Sequence, residues 1–172
     1  MNIIFIGPRS VGKSTIGKVL AKKLRYKYIE FDKIVEGKLK GIDKYCKKYG
    51  IDSYRKKEQD ILKKVVKNLP KNFVMCIGGG TIASQLKKIS KENIKILKRY
   101  GKLVYLNPSK NNKEAIEILR KREKLRRGNQ SFEHTSNLYK IRKPIYEKAK
   151  DYEIIVKNKT PRQIVNEILI NV

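Results

Sequence analysis

The apolar run Ile3 to Ile6 leads directly into Gly7-Pro8-Arg9-Ser10-Val11-Gly12-Lys13-Ser14, and an amphipathic stretch from Thr15 to Leu24 follows. A strand, a glycine-bracketed loop and a helix in that order constrain the fold more than any other segment of the chain. Such a loop is useful only if the strand and the helix hold it so that consecutive backbone N–H groups converge on anionic oxygens at the helix N-terminus. Within it, Lys13 can reach the β- and γ-phosphates of a nucleotide, and the Ser14 hydroxyl can ligate Mg²⁺. Glycine is needed where a side chain would block the phosphate. The segment therefore reads as a phosphate-binding loop, with Ser10, Val11, Gly12, Lys13, Ser14 and Thr15 as the nucleotide contacts.

Further apolar runs of strand length, rich in Ile, Val, Tyr and Phe, occur at Tyr28 to Phe31, Phe73 to Ile77, Leu103 to Leu106 and Glu153 to Val156, beside the first at Asn2 to Ile6. Helical patterns separate them. One face of Thr15 to Leu24 carries Ile16, Val19, Leu20 and Leu24, and Tyr54 to Leu69 does likewise with Ile61, Leu62, Val65, Val66 and Leu69. Helices are also expected near Ile82 to Tyr100, Lys113 to Arg122, Ser136 to Lys150 and Pro161 to Ile170, the last with Thr160 as N-cap and Pro161 at the first helical position. Strands alternating with helices predict right-handed crossovers and a parallel sheet covered on both faces. The expectation is a three-layer α/β sandwich with five parallel strands in the order 2-3-1-4-5, forming a single domain over residues 1–172.

Composition narrows the class of function. A chain of 172 residues buries enough surface to need no disulfide, and its two cysteines, Cys46 and Cys76, have no second Cys or His at metal-ligand spacing. They read as reduced thiols, and no apolar stretch approaches membrane-spanning length or resembles a targeting segment. A soluble cytoplasmic protein is expected. The 43 Lys+Arg against 16 Asp+Glu, a formal net charge of +27, raise nucleic-acid binding as a possibility. The lysines, however, are spread over nearly every predicted helix, as in a general compositional bias. Solvated faces and attraction of anionic small molecules are the favoured meaning, with no specific nucleic-acid partner.

Ligands of open parallel sheets bind beyond the carboxyl ends of the strands, so residues there carry the chemistry. Glu30 and Asp32 alternate at the end of the second strand, where both can point to one side. Asp32 can orient or deprotonate an acceptor hydroxyl, or it can cap the next helix; Glu30 can hold Mg²⁺ through its water shell, or be a surface acid. Arg55 and Glu58 share a helical face at i, i+3. Spacing alone favours an ordinary surface ion pair over a guanidinium fixed for a substrate carboxylate. Gly78-Gly79-Gly80 follows the third strand, where close approach of a ligand explains three glycines better than a turn does. The basic run Arg120, Arg122, Arg126, Arg127, with Gly128-Asn129-Gln130-Ser131 after it, is either a solvated face or a mobile lid over roughly 120–135 that lays arginine across transferring phosphates. Arg142 is a solvated helix residue by default, and His134, the only histidine, is assigned no chemistry.

Taken together and in order, GPRSVGKST, YIEFDKIVE, YRKKEQD, MCIGGGT, the basic lid region and RKPIYEKAKDYEI resemble the shikimate kinases, a branch of the nucleoside-monophosphate-kinase-like phosphate-loop proteins. The resemblance covers nearly the whole chain. It implies transfer of the γ-phosphoryl group of ATP to the 3-hydroxyl of shikimate, with Mg²⁺ as cofactor and a monomeric protein. By position, Asp32 contacts the ring hydroxyls and serves as base, Arg55 and Arg142 bind the carboxylate, and Gly78, Gly79 and Gly80 line the same pocket. Lys13 and Arg127 stabilise charge on the moving phosphoryl group, Arg120 lies against adenine, and Lys159 belongs to a second adenine-contacting loop. Two departures stand out. Glu30 replaces the family's usual aspartate, which keeps the charge and adds a methylene, and the usual Arg-Pro-Leu-Leu of the lid gives way to Arg126-Arg127-Gly128-Asn129. These departures leave room for a related kinase of a gluconate-like acid or a nucleotide, and the charge for a non-catalytic protein that binds nucleotide and nucleic acid.

Overall fold

The computed structural model describes residues 1–127 and 132–172, apart from the side chains of 126, 127, 132 and 133. Five strands, β1 (Ile3–Ile6), β2 (Lys27–Glu30), β3 (Phe73–Cys76), β4 (Lys102–Asn107) and β5 (Tyr152–Ile155), form one sheet in the order β2-β3-β1-β4-β5, and every pairing is parallel. The strand order is the expected one. It leaves β1, and hence the loop that follows it, in the middle of the sheet.

Side-chain alternation sorts the central strands into two cores. Ile3, Phe5, Val74, Cys76, Val104 and Leu106 face one way, and Ile4, Ile6, Phe73, Met75, Leu103 and Tyr105 face the other. The first face packs on α1 (Lys13–Leu24), α6 (Asn112–Arg127) and α8 (Pro161–Asn171), and the second on α2 (Phe31–Leu39), α3 (Ile42–Lys67) and α5 (Lys87–Lys98). Burial on both faces is why these strands read as unbroken apolar runs. Helix α7 (Phe132–Ala149) contributes Tyr139 to one core and Tyr146 to the other. Thr160 caps α8 as expected, in a full capping box with Gln163.

Three local expectations are corrected. Strand β2 ends at Glu30, and Asp32 lies in the first turn of α2, so the two acids converge through a strand-to-helix junction and not through strand alternation. The stretch Ile82 to Tyr100 is not one helix. A short α4 (Gly79–Ile82) ends before α5 begins, and the connection is tied by Ser84 N–H donating to Ser90 Oγ at 2.9 Å and Ser90 Oγ–H donating to Ser84 O at 3.2 Å. Helix α3 starts well before Tyr54 and changes direction at Gly50, whose backbone is non-helical at φ 81°, ψ 162°.

Candidate active site

The loop between β1 and α1 takes its shape from backbone conformations that few residues tolerate. Gly12, at φ 110°, caps α1, and Ser10 holds the left-handed region at φ 62°. Lys13 curls back over the loop and donates from Nζ to Gly7 O at 2.9 Å and Pro8 O at 2.7 Å. From α6, Arg122 donates to Val11 O at 2.7 Å, so the basic helix touches the loop directly. Ser14 Oγ donates to Glu30 Oε1 at 3.1 Å, and the Tyr28 hydroxyl donates to the other carboxylate oxygen of Glu30. Hydroxyl and carboxylate thus stand side by side at the start of α1. A hard, oxygen-seeking ion fits that donor pair. Among the described residues no cluster of three or more His, Cys, Asp or Glu side chains could cage one, so most ligands of such an ion would be water and phosphate oxygens, as Mg²⁺ prefers.

Across the sheet, the glycine triplet organises a second cluster. None of Gly78, Gly79 and Gly80 needs a positive φ. What each needs is space. A Cβ on Gly78 would lie 2.6 Å from Asp32 Oδ1, one on Gly79 would lie 2.7 Å from the Tyr146 hydroxyl and 3.7 Å from Arg142 Nη1, and one on Gly80 would lie 2.7 Å from Arg55 Cζ. Consecutive Cα atoms are about 3.8 Å apart, so the acid and both guanidinium groups meet along less than a nanometre of backbone. The close approach expected at these glycines is made by the protein's own side chains.

Arg55 is not in a surface ion pair. Its Nη1 donates to Glu58 Oε2 at 2.6 Å, with side-chain exposures of 14% and 1%, and its guanidinium carbon lies 4.8 Å from the centroid of the Tyr54 ring. The other oxygen of Glu58 accepts from Tyr54 OH and from Thr81 Oγ1, each at 3.0 Å. Both oxygens of this buried carboxylate are therefore engaged, one by Arg55 and the other by Tyr54 and Thr81, which ties Arg55 to α4. The spacing could not reveal this, because the burial comes from α4 packing on α3.

Asp32 opens to solvent at the cleft, yet its carboxyl is raised above the usual carboxylate range. Desolvation is the largest cause; the Lys13 ammonium opposes it, the negative charges of Glu58 and Glu30 add to it, and Arg55 also opposes it. It does not cap α2: Glu30 occupies the N-cap, and Asp32 is in the first turn. Burial also pushes the Cys76 thiol up to about 12, and its S–H donates to Lys13 O at 3.2 Å, which makes it packing for the loop and no nucleophile.

The remaining sequence-derived candidates lie further out. Thr15 is exposed in the first turn of α1. Arg120 is an exposed residue of α6, and Lys159 Nζ pairs with Glu167 Oε2 of α8 at 2.5 Å. The Arg127 side chain and the 128–131 part of the lid lie outside the described residues. Tyr54, Thr81 and Tyr146 are the side chains that the sequence did not single out, and Arg122, expected only as one of the basic run, is the member of it that reaches the loop. Tyr146 carried a usable signal, since it falls one helical turn after Arg142 and so on the same face.

A glycine-bracketed loop between β1 and α1, a sheet ordered 2-3-1-4-5, and one acid and two guanidinium groups gathered on the glycines after β3 have the form of a phosphate-loop kinase. The shikimate kinase family model matches residues 9–172. The shikimate kinase of Enterococcus faecalis is 32% identical over 98% of this chain and 96% of its own length. Among solved structures, a shikimate kinase from Acinetobacter baumannii in complex with shikimate matches with a TM-score of 0.80 and 27% identity, over 98% of this chain and 90% of that one. The Aquifex aeolicus shikimate kinase matches with a TM-score of 0.78 and 27% identity over 99% and 95% of the two chains. The chain belongs to the shikimate kinase family.

Proposed function

We propose that this protein transfers the γ-phosphoryl group of ATP to the 3-hydroxyl of shikimate, giving shikimate 3-phosphate and ADP. The observation that supports this most directly is the meeting of Asp32, Arg55 and Arg142 on three consecutive glycines. Two fork-shaped cations suit one small carboxylate, and an acid beside them suits the hydroxyl of the same ring.

In the proposed reaction Arg55 and Arg142 orient the acceptor by its carboxylate, and Asp32 accepts the hydroxyl proton as that oxygen bonds to the γ-phosphorus and the bond to the β,γ-bridging oxygen breaks. A carboxyl raised by its surroundings is the better proton acceptor. Lys13 exchanges the carbonyls of Gly7 and Pro8 for phosphate oxygens, and Arg122, already on the loop at Val11, adds positive charge beside it. Ser14 and Glu30 would hold Mg²⁺, which supplies charge neutralisation at the phosphates when bound. Positioning and electrostatics then account for the rate, without a covalent enzyme intermediate. We place the reaction in the cytoplasm, with a monomeric enzyme. Among the described residues no helix is long and apolar enough to cross a membrane, and both cysteines are free.

The test is a coupled ADP-release assay with shikimate, gluconate and nucleoside monophosphates as acceptors. Release that depends on shikimate and stays at background with the others is expected. Turnover of gluconate or a nucleotide in its place would overturn the acceptor assignment, and retention on RNA or DNA with no ADP release would overturn the enzyme.

A further inference from the structure

Two buried tyrosines lie against each other beneath the cleft, with ring centroids 5.5 Å apart, and their hydroxyls have opposite fates. The Tyr105 hydroxyl is buried with no hydrogen-bond partner among the described residues, its neighbour Tyr139 being turned toward Asn107 Oδ1 at 3.3 Å. The Tyr146 hydroxyl donates to Gly79 O at 2.9 Å. A buried phenol spends its single proton once, so its remaining lone pairs must look elsewhere. A Cβ on Gly79 would have the Tyr146 oxygen at 2.7 Å and Arg142 Nη1 at 3.7 Å, which puts the phenol and the guanidinium against the same residue. Burial pushes the Tyr146 phenol up to about 12 and Arg142 pulls it back, so at neutral pH it keeps the proton that the contact with Gly79 requires.

Arg142 and Tyr146 are four residues apart on α7, on one face of the helix. Gly79 stands between Gly78, which meets Asp32, and Gly80, which meets Arg55. The phenol is thus the point where α7 is joined to the backbone on which the acceptor cluster sits. We propose that Tyr146 is a positioning residue of the acceptor pocket: by holding the Gly79 carbonyl and offering its oxygen to Arg142, it sets that guanidinium for the substrate carboxylate. The inference rests on shikimate being the acceptor. It assigns Tyr146 to acceptor binding, with no part in phosphoryl transfer or nucleotide binding.

Tyr146→Phe keeps the ring and removes the hydroxyl. With wild-type shikimate turnover and calorimetric binding measured first, the variant is expected to raise both KM and Kd for shikimate by about tenfold, while kcat and KM for ATP stay within about twofold. Tyr105→Phe, which deletes the unpartnered hydroxyl of the same stack, should change none of these. In an Arg142→Ala background the Tyr146→Phe penalty should shrink to less than about threefold, because the group being positioned is gone. A lowered melting temperature with unchanged shikimate KM and Kd would reduce Tyr146 to a packing residue and overturn the proposal. So would equal losses for ATP and shikimate, or penalties that simply multiply in the double variant. Wild-type protein that neither binds nor phosphorylates shikimate would instead overturn the acceptor assignment and this role with it, so the two failures are told apart by the first measurement.

Discussion

The two sides of the cleft that the proposed function assigns to acceptor and nucleotide are built by different means. On the acceptor side, side chains hold one another: Glu58 commits both oxygens to Arg55, Tyr54 and Thr81, and the three glycines leave room for Asp32, Arg142 and Arg55. On the nucleotide side the backbone provides the shape, through Ser10 and Gly12, and the cations rest on carbonyls. Lys13 sits on Gly7 and Pro8, and Arg122 on Val11. Arg9, exposed on the same loop, lies 3.7 Å from Glu123. The difference teaches how each half meets its ligand. Under the proposed function, the acceptor pocket is set before substrate arrives, whereas Lys13 and Arg122 rest on carbonyls that phosphate oxygens can replace.

Asp32→Asn should have the largest effect, because it removes the proton acceptor from the preset side. A fall in kcat of about a thousandfold with little change in KM for ATP is expected in the coupled assay. Its melting temperature at neutral pH should not fall. A carboxyl raised in the folded state favours folding only when protonated; as a carboxylate above that raised value it costs stability, and the asparagine escapes the cost. The same raised carboxyl moves the acid limb of kcat/KM above the ordinary carboxylate range, since activity needs the ionised form. A limb within that range would show that Asp32 is not the titrating base.

Glu58→Ala comes next. It strands Arg55 in a poorly solvated place, so a loss of roughly 3 kcal/mol in denaturant unfolding is expected, with a rise of some tenfold or more in KM for shikimate. Unchanged stability would mean that the pair is not holding the preset pocket together. Arg122→Ala should be the mildest, since one stored contact is lost from a loop the backbone already shapes. A two- to fivefold rise in KM for ATP, with KM for shikimate unmoved, is the expected order of effect. A larger effect on shikimate than on ATP would erase the distinction between the two sides.

Much of the fold was legible because its signals are local. The strands between two helical layers read as apolar runs, and the loop after β1 carries its chemistry in adjacent residues. The helix assigned to Ile82 to Tyr100 failed because apolar periodicity runs on across a break that the Ser84–Ser90 hydrogen bonds create. Asp32 was recognised, but its geometry was read from a strand that stops two residues earlier. The pairing of Arg55 with Glu58 looked superficial because i, i+3 spacing is the same on a wet helix as on a buried one; only the approach of Thr81 from α4 distinguishes them. Tyr146 drew no expectation of its own; it is a core residue, with its hydroxyl the exception.

Gly80→Ala isolates the preset pocket most cleanly. Gly80 is helical with no positive φ, so alanine suits its backbone, but the new methyl would meet the Arg55 guanidinium, which Glu58 and Tyr54 keep from moving aside. Calorimetric titration of shikimate into wild type and Gly80→Ala is therefore the most direct test, with ATP titrated into both for comparison. Shikimate affinity lower by roughly thirtyfold, with ATP affinity unchanged, is the expected result. Equal shikimate affinity in the two proteins would contradict an acceptor pocket assembled on the glycine triplet.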